Sequence, residues 1–207
     1  MKSLLELAAV TKSFGSQRVL DQLWLQLQAG EIVGLVGANG AGKTTMLRIA
    51  AGLMMPDQGG VRWAQSPPLV RYFGGEMTLP PDLPARRWAR LFGVRMEDRR
   101  AIGQLSRGSR QFLGLRIVLA GSGADLVLLD EPWEGLDAGG SAWLATALRR
   151  WRAAGAGILI SSHRLHDLDQ TCTRFVLLRS GRCHPVAERE RRPRLQQLSE
   201  AFAGGRS

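Results

Sequence analysis

Short apolar runs that end at glycine or at polar residues recur along the chain and predict buried β-strands. These runs are residues 32–36, 126–129, 158–160 and 175–178. Apolar residues at helical spacing predict helices between them, over residues 45–50, 111–120 and 141–154. Gly155 follows the last helix in the position of a glycine cap. The alternation of strand and helix predicts an α/β fold with a parallel or mixed sheet.

The first 30 residues differ and predict an N-terminal antiparallel β-subdomain. Residues 4–7 form one predicted strand. Residues 22–28 alternate apolar and polar side chains except at Trp24, as a half-buried antiparallel strand does. A turn is predicted at residues 56–60. Further short strands are predicted at residues 61–63 and 69–73.

Two segments depart from this alternation. Residues 76–104 begin with prolines and continue with many arginines, and Trp88, Leu91 and Phe92 fall at helical spacing. This pattern predicts a small helical insertion with a basic outer face. Residues 186–207 are dense in charge and predict a flexible tail behind a single domain of residues 1–185.

A glycine-rich loop of the form G-x-x-x-x-G-K-[ST] follows the predicted strand 32–36. Its backbone N–H groups and the positive end of the next helix point at one spot, which makes an anion site. Lys43 adds a charge for the β- and γ-phosphates, and the Thr44 hydroxyl can hold Mg²⁺. We therefore predict phosphate binding here, over the alternative of an ordinary glycine turn. The predicted binding residues are Gly37, Asn39, Gly40, Ala41, Gly42, Lys43, Thr44 and Thr45.

Two carboxylates emerge at the end of the predicted strand 126–129. A phosphate-loop NTPase needs one carboxylate to hold Mg²⁺ through its water shell, and Asp130 is placed for that. Hydrolysis also needs a group that deprotonates the attacking water, and Glu131 is the candidate base. The alternative is an acidic strand end that only caps a turn.

Composition limits the class of protein without deciding it. The net charge is +10, and Lys occurs only at positions 2, 12 and 43, so the other 25 of 28 basic residues are arginine. This surplus favours an anionic partner such as nucleic acid, a membrane face or an acidic protein, or reflects only codon bias. No apolar run approaches the ~20 residues of a membrane span. Cys172 and Cys183 are predicted to be reduced thiols in a cytoplasm; a metal site with His184 is the minor alternative.

The segment Leu-Ser-Arg-Gly-Ser at residues 105–109 makes the assignment specific. Together with the motifs above it resembles the ATP-binding subunits of the ABC (ATP-binding cassette) superfamily, over residues 4–181. The family signature is L-S-G-G-Q, of which Leu105, Ser106 and Gly108 are present. The resemblance implies a P-loop NTPase core in which Ser106 and Gly108 bind ATP held by the other subunit of a head-to-tail dimer.

Three further residues match the family in order. Asp137 resembles the D-loop aspartate at the dimer interface. His163 resembles the switch histidine that contacts the γ-phosphate. Phe14 matches the aromatic residue that stacks on adenine, with a place in the core as its alternative.

The sequence departs from the family pattern at three positions. Gly75 stands where the family has a glutamine that helps to ligate Mg²⁺, and Glu76 is the candidate substitute one position later. Arg107 replaces the first signature glycine, and Ser109 replaces the signature glutamine. These changes bear on hydrolysis rate and coupling more than on ATP binding, so we still predict hydrolysis.

The resemblance implies an ATP-binding and hydrolysing subunit that powers an ABC transporter through dimer closure. Its cofactors would be ATP and Mg²⁺, and its partners would be transmembrane permease subunits and a second ATP-binding subunit, identical or related. Those partners would hold it on the cytoplasmic face of the cell membrane. The short length resembles compact exporter subunits, including the heme-exporter ATPase of cytochrome c maturation. There are two alternatives. One is a soluble ABC ATPase that acts on nucleic acid or ribosomes, although nucleic acid is the less expected partner. The other is a non-hydrolysing nucleotide-binding regulator.

Overall fold

The computed structural model of the protein describes residues 2–65, 67–75 and 79–187. Strands and helices alternate along most of this part of the chain. The strands are β1 (Ser3–Phe14), β2 (Gln17–Gln28), β3 (Ile32–Val36), β4 (Gln58–Trp63), β5 (Val70–Phe73), β6 (Leu126–Asp130), β7 (Gly157–Ser161), β8 (Arg174–Arg179) and β9 (Arg182–Val186). The helices are α1 (Lys43–Ala50), α2 (Ala85–Leu91), α3 (Arg107–Val118), α4 (Ala138–Ala153) and α5 (Leu165–Thr171), with a 3₁₀ turn at Ile102–Gln104.

The larger sheet has six strands in the order β5-β6-β7-β3-β8-β9. All its neighbouring pairs are parallel except β8 with β9, which is antiparallel. Every residue of β3, β6 and β7 is buried. These strands can be apolar except for Asp130 and Ser161 at their ends, because both faces of the sheet are covered. The predicted α/β fold with a mixed sheet is confirmed.

The smaller sheet is antiparallel, in the order β2-β1-β4, and it covers one face of the larger sheet together with α1. Leu23, Leu25 and Leu27 are buried, whereas Trp24 between them is 60% exposed. The alternation of buried and exposed side chains is therefore real. Trp24 interrupts only the pattern of apolar and polar residues, because it is an apolar side chain on the outer face. Val33 and Leu35 of β3 pack into this layer.

The opposite face of the larger sheet is covered by α3, α4 and α5. Ile32 and Val36 of β3 point into this second core, where Trp133 and Trp151 are the largest buried side chains. Gly155 follows α4 with a φ of 90°, a left-handed conformation that glycine adopts easily and that ends the helix as predicted.

The insertion contains less helix than its composition suggested. In the described part of residues 76–104 the helical elements are α2 and the 3₁₀ turn, which pack with α3 around a third core. Ala85 and Ala89 are the fully buried residues of α2, while Leu91 and Phe92 are 70% and 45% exposed. The helical spacing of Leu91 and Phe92 therefore does not mark a buried face.

Several predicted boundaries were wrong. Strands β1 and β2 are much longer than residues 4–7 and 22–28, because they pair with each other along most of their length. Residues 58–60 belong to β4 instead of to a turn. Helix α3 begins four residues earlier than predicted, directly after Ser106. Neither α5 nor β9 was predicted.

Two sequence-based expectations lie outside the described residues. They are Glu76 as a metal ligand and the flexible tail, apart from residues 186 and 187. Cys172 and Cys183, both described, form no disulfide bond, and burial raises the pKa of the Cys183 thiol to about 12. None of the helices in the described part of the chain is long and apolar enough to cross a lipid bilayer.

Candidate functional site

The predicted chemical motifs meet at one edge of the larger sheet. Strands β6, β7 and β3 lie side by side and run parallel, so their carboxyl ends point the same way. The glycine loop follows β3, Asp130 and Glu131 end β6, and residues 161–163 end β7. Ligands of open α/β sheets bind at this kind of edge, because the connecting loops diverge there.

The glycine loop leads directly into the N-terminus of α1. Gly42 is the residue before the helix and has a φ of 101°. A Cβ on Gly42 would lie 2.8 Å from the Cγ1 of Val19, so both the left-handed backbone and the close packing require glycine. The first N–H groups of α1 are thereby left facing the loop, as an anion site requires.

Lys43 is buried among the backbone carbonyls of this loop. Its Nζ donates to the carbonyl oxygens of Gly37 at 2.8 Å and Ala38 at 3.1 Å. Burial lowers the pKa of the Lys43 ammonium, and the nearby carboxylates of Glu131 and Asp130 oppose that shift. A desolvated ammonium interacts more strongly with a phosphate than a hydrated one does.

Asp130 is fixed by two hydroxyl groups. The Oγ1 of Thr44 donates to its Oδ2 at 2.5 Å, and the Oγ of Ser161 donates to its Oδ1. Asp130 is only 6% exposed and Ser161 is fully buried. The Thr44 hydroxyl and the Asp130 carboxylate thus bring together two oxygen ligands of the type that Mg²⁺ prefers.

Glu131 has an unusual backbone, with a φ of 47°. A non-glycine residue in this left-handed region costs about 1–3 kcal/mol, so the surroundings must hold it there. Its N–H donates to the carbonyl oxygen of Ser161 at 3.1 Å and also lies 3.1 Å from the Ser161 Oγ. The turn separates the two adjacent carboxylates, so that Asp130 stays under α1 while Glu131 faces His163.

His163 and Glu131 form a close pair. The Nδ1 of His163 lies 2.9 Å from the Oε2 of Glu131, and the backbone N–H of His163 donates to the same oxygen at 3.1 Å. The histidine side chain is 49% exposed, and the glutamate side chain is 21% exposed. The predicted base and the predicted switch residue are therefore neighbours, both open to solvent.

A cavity of about 620 Å³ opens beside Lys43, Asp130 and Glu131. Phe14 lies on its wall and is 50% exposed, so the alternative of a core position is excluded. The cavity is large enough for a nucleotide, with an aromatic surface at one side and the glycine loop at the other. The other lining residues are Gln17, Val19, Asn39, Gly40, Gly42, Lys43, Thr44, Thr45, Gly74, Gly75, Arg107, Gln111, Asp130, Glu131 and Glu134.

The signature segment forms the first turn of α3. The Ser106 Oγ accepts a hydrogen bond from the Ser109 N–H at 3.1 Å and caps the helix. Arg107, in place of a family glycine, extends to the Oε1 of Glu134 at 2.9 Å. Gly108 packs so tightly that a Cβ there would lie 2.2 Å from the carbonyl oxygen of Gly135.

Some predicted residues do not line the cavity of this single chain. Gly37, Ala41, Ser106, Gly108 and His163 lie outside its lining, and Asp137 caps α4 through its Oδ1, which accepts from the Gly140 N–H at 2.7 Å. Sequence reasoning also missed two groups. Ser161 joins Asp130 to Glu131, and Gln111 donates from Nε2 to the Glu131 carbonyl oxygen at 3.1 Å. The only sequence signal for Ser161 was its place between the predicted strand 158–160 and His163, and Gln111 carried no signal.

Comparison with known proteins places this geometry in a family. Residues 20–134 match the family described as ABC transporter. The SkfA peptide export ATP-binding protein SkfE of Bacillus subtilis is 32% identical over 211 residues, covering 86% of this chain and 87% of that protein. The zinc import ATP-binding protein ZnuC of Pseudomonas fluorescens is 35% identical over 205 residues, covering 88% and 77%.

Solved structures agree on the fold. A structure described as the ATP-binding subunit of an ABC transporter has a TM-score of 0.77 at 24% identity, covering 97% of this chain and 99% of that one. A dimeric ATP-binding cassette in a post-hydrolysis state, bound to ADP and Pi, has a TM-score of 0.74 at 20% identity, covering 87% and 97%. With the family match over more than half its length, the chain belongs to the ABC transporter family, as an ATP-binding subunit with ATPase activity.

Proposed function

We propose that this chain binds MgATP in the cavity above β3 and β6, and that two such subunits close head to tail to drive transport. The observation that carries the proposal is the pairing of Glu131 with His163 beside the buried Lys43 and Asp130. A phosphate-binding loop alone would support binding. A paired carboxylate at the same sheet edge also supports hydrolysis.

Nucleotide binding would use charge, backbone donors and stacking. Lys43 and the first N–H groups of α1 would neutralise the β- and γ-phosphates. The Phe14 ring would stack on the adenine, which contributes on the order of 1 kcal/mol. Gly37, Asn39, Gly40, Ala41, Gly42 and Thr45 would complete the loop around the phosphates.

Thr44 would hold Mg²⁺ directly, and Asp130 would hold it through a water molecule. The donor set fits, because a hydroxyl and a carboxylate already lie in contact there, and phosphate and water oxygens can supply the remaining ligands. When bound, Mg²⁺ supplies positive charge to the phosphate oxygens. Ser161 would keep Asp130 oriented through its hydrogen bond.

Glu131 would take the proton from the attacking water. Its Oε2 accepts from the His163 N–H, which fixes the carboxylate beside the cavity that Glu131 lines. His163 would then be near enough to the γ-phosphate to report its presence, because its ring already contacts the glutamate. General-base catalysis of this kind contributes on the order of 10²- to 10⁴-fold in rate.

A dimer would complete the site. The signature residues Ser106 and Gly108 lie outside the cavity of their own chain, which suits a role on the ATP of a second subunit. Asp137 would lie at the same interface while capping α4. The partner would be a second copy or a related ATP-binding subunit. ATP would favour the closed dimer, and hydrolysis would release it.

Transmembrane permease subunits are the proposed target of this closure, which would place the chain on the cytoplasmic face of a membrane. SkfE is named for peptide export and ZnuC for zinc import, so the relatives of this chain do not fix the direction of transport. The resemblance to compact exporters therefore stays a prediction.

Substitution of the base tests the proposal. Glu131→Gln should lower the rate of ATP hydrolysis on the order of 100-fold or more, because the amide does not accept the proton. It should retain MgATP binding and trap an ATP-bound dimer, detectable by light scattering. A monomer at saturating MgATP would contradict the head-to-tail dimer, and undiminished turnover would exclude Glu131 as the base. Wild-type protein without turnover would favour the non-hydrolysing regulator.

A further inference from the structure

Helix α3 touches the segment that follows β6 at three points. The Nη2 of Arg107 lies 2.9 Å from the Oε1 of Glu134, and the Nε2 of Gln111 donates to the carbonyl oxygen of Glu131 at 3.1 Å. Between them, Gly108 packs against the backbone of Gly135. Arg107 and Gln111 are four residues apart and so lie on one face of the helix. This face borders the nucleotide cavity.

The Gln111 contact falls on the strained peptide unit of Glu131. The left-handed φ of Glu131 has to be imposed by neighbouring groups, because a glutamate prefers other conformations. Ser161 holds the N–H side of this residue, and Gln111 holds its carbonyl side together with the N–H of Glu134. The direction of the Glu131 carboxylate depends on this turn, since the side chain leaves from the same Cα.

Helix α3 follows the helical insertion of residues 76–104 and packs against both the insertion and the central sheet, the latter through Leu115. Its residues Leu113 and Ile117 pack with Ala85 and Ala89 of α2 in the third core. Gln111 is therefore a side chain of the helix that links the insertion to the central sheet, and it reaches the catalytic segment after β6. Gly75 also lines the cavity but offers no side chain for such a contact.

We propose that Gln111 is a positioning residue for hydrolysis: by holding the Glu131 carbonyl, it keeps the carboxylate aimed and makes this aim depend on the position of the insertion. The proposal rests on the role of Glu131 as the general base. A movement of α3 away from the central sheet would break the contact and let the Glu131 turn relax. The insertion would then control turnover without touching the nucleotide.

Two substitutions at this position separate the hydrogen bond from packing. Gln111→Met keeps the length of the side chain and removes the donor, and Gln111→Glu places a carboxylate oxygen opposite the Glu131 carbonyl. In Gln111→Met, kcat for ATP hydrolysis should fall about 3- to 10-fold, the value of one hydrogen bond, with unchanged MgATP affinity and a melting temperature lowered by no more than about 2–4 °C. In Gln111→Glu, kcat should fall at least as far, and the added negative charge should also weaken MgATP binding because residue 111 lines the cavity. The matched controls are Gln26→Met and Gln26→Glu, at an exposed position of β2.

The outcomes distinguish this inference from the proposed function. A lower kcat of Gln111→Met with unchanged MgATP affinity and a melting temperature within about 2–4 °C of the wild type, absent in the Gln26 controls, supports the positioning role. Unchanged kcat in both Gln111 variants overturns it, provided that Glu131→Gln abolishes turnover. If the MgATP affinity of Gln111→Met falls together with kcat, or its melting temperature falls by clearly more than about 4 °C, Gln111 acts on binding or folding and the inference also fails. If Glu131→Gln hydrolyses ATP normally, the role of Glu131 itself is wrong.

Discussion

Asp130 and Glu131 are adjacent carboxylates that the structure holds in opposite ways. Asp130 ends a buried strand, and hydroxyl donors occupy both of its oxygens. Glu131 turns out of the strand with a left-handed φ and keeps part of its side chain exposed beside His163. One carboxylate is thus fixed in the manner of a metal ligand, and the other is accessible in the manner of a base. The positive φ of Glu131 turns its side chain away from that of Asp130 and so separates the two roles.

Lys43 allows a direct test of the phosphate site. Lys43→Ala should weaken MgATP binding about 10- to 100-fold, because it removes a charge-assisted contact to phosphate. Equilibrium binding of a fluorescent ATP analogue would measure the loss, and circular dichroism would show that the fold persists. ATP affinity equal to that of the wild type would refute the site.

The pH dependence of the same residue has a definite sign. Because burial lowers the pKa of Lys43 below the ordinary lysine value, the ammonium deprotonates in the empty protein at a lower pH than a free lysine does. ATP affinity should therefore fall as the pH rises toward that range in the wild type. The Lys43→Ala variant should lack this alkaline loss.

At the scale of elements, sequence predicted best where local chemistry decides the structure. The apolar runs of β3, β6 and β7 were recognisable because both faces of those strands are buried. Strand β9 was missed because its residues are mostly polar and include Pro185, which an edge strand tolerates. The start of α3 was missed because arginine, glycine and serine do not show helical periodicity, although Ser106 is a good cap.

The residues of the candidate site also differ in whether local sequence or tertiary packing decides their place. The glycine loop and the two carboxylates were predictable because contiguous residues carry their chemistry. Ser161 and Gln111 act through partners about 31 and 20 positions away, at contacts that only tertiary packing creates. A single sequence holds no local signal for such pairs.

Gly108 tests how closely α3 must approach the segment after β6. Gly108→Ala would place a Cβ 2.2 Å from the Gly135 carbonyl oxygen, a backbone atom that a rotamer change does not relieve. The helix must then shift, at a cost of about 1–3 kcal/mol in the free energy of unfolding. Urea denaturation would measure the loss, and ATP hydrolysis should fall because the Gln111 contact moves with the helix.

The matched control for Gly108→Ala is Gly139→Ala in the first turn of α4. A Cβ at Gly139 would meet its nearest atom, the Oδ1 of Asp137, at 3.5 Å, which is ordinary contact. That variant should be more stable than the wild type by about 0.5–1 kcal/mol, because alanine favours a helix over glycine. Equal effects of the two substitutions would contradict the close approach at Gly108.

At the scale of the whole molecule, the nucleotide cavity and the outer face of the insertion are joined through α3. One end of α3 borders the cavity, and its buried side packs against α2. Leu91 and Phe92 lie exposed at the end of α2, where contact with water does not stabilise apolar side chains. Exposed apolar side chains of this kind favour contact with another protein. The proposed permease subunits are the partner that the family resemblance implies.

Replacement of this patch tests the docking proposal. The double variant Leu91→Ser, Phe92→Ser should keep the basal ATPase rate, because neither side chain lines the cavity. It should no longer co-purify with hydrophobic membrane proteins from solubilised membranes, since the patch supplies the apolar contact. Trp24→Ser is the matched control: Trp24 is 60% exposed on the smaller sheet, away from the insertion, and its loss should leave co-purification intact. Retention of membrane proteins by the double variant would exclude this surface. Recovery that depends instead on nuclease-sensitive material would favour the nucleic-acid alternative, in which the arginine surplus, and not the apolar patch, recruits the partner.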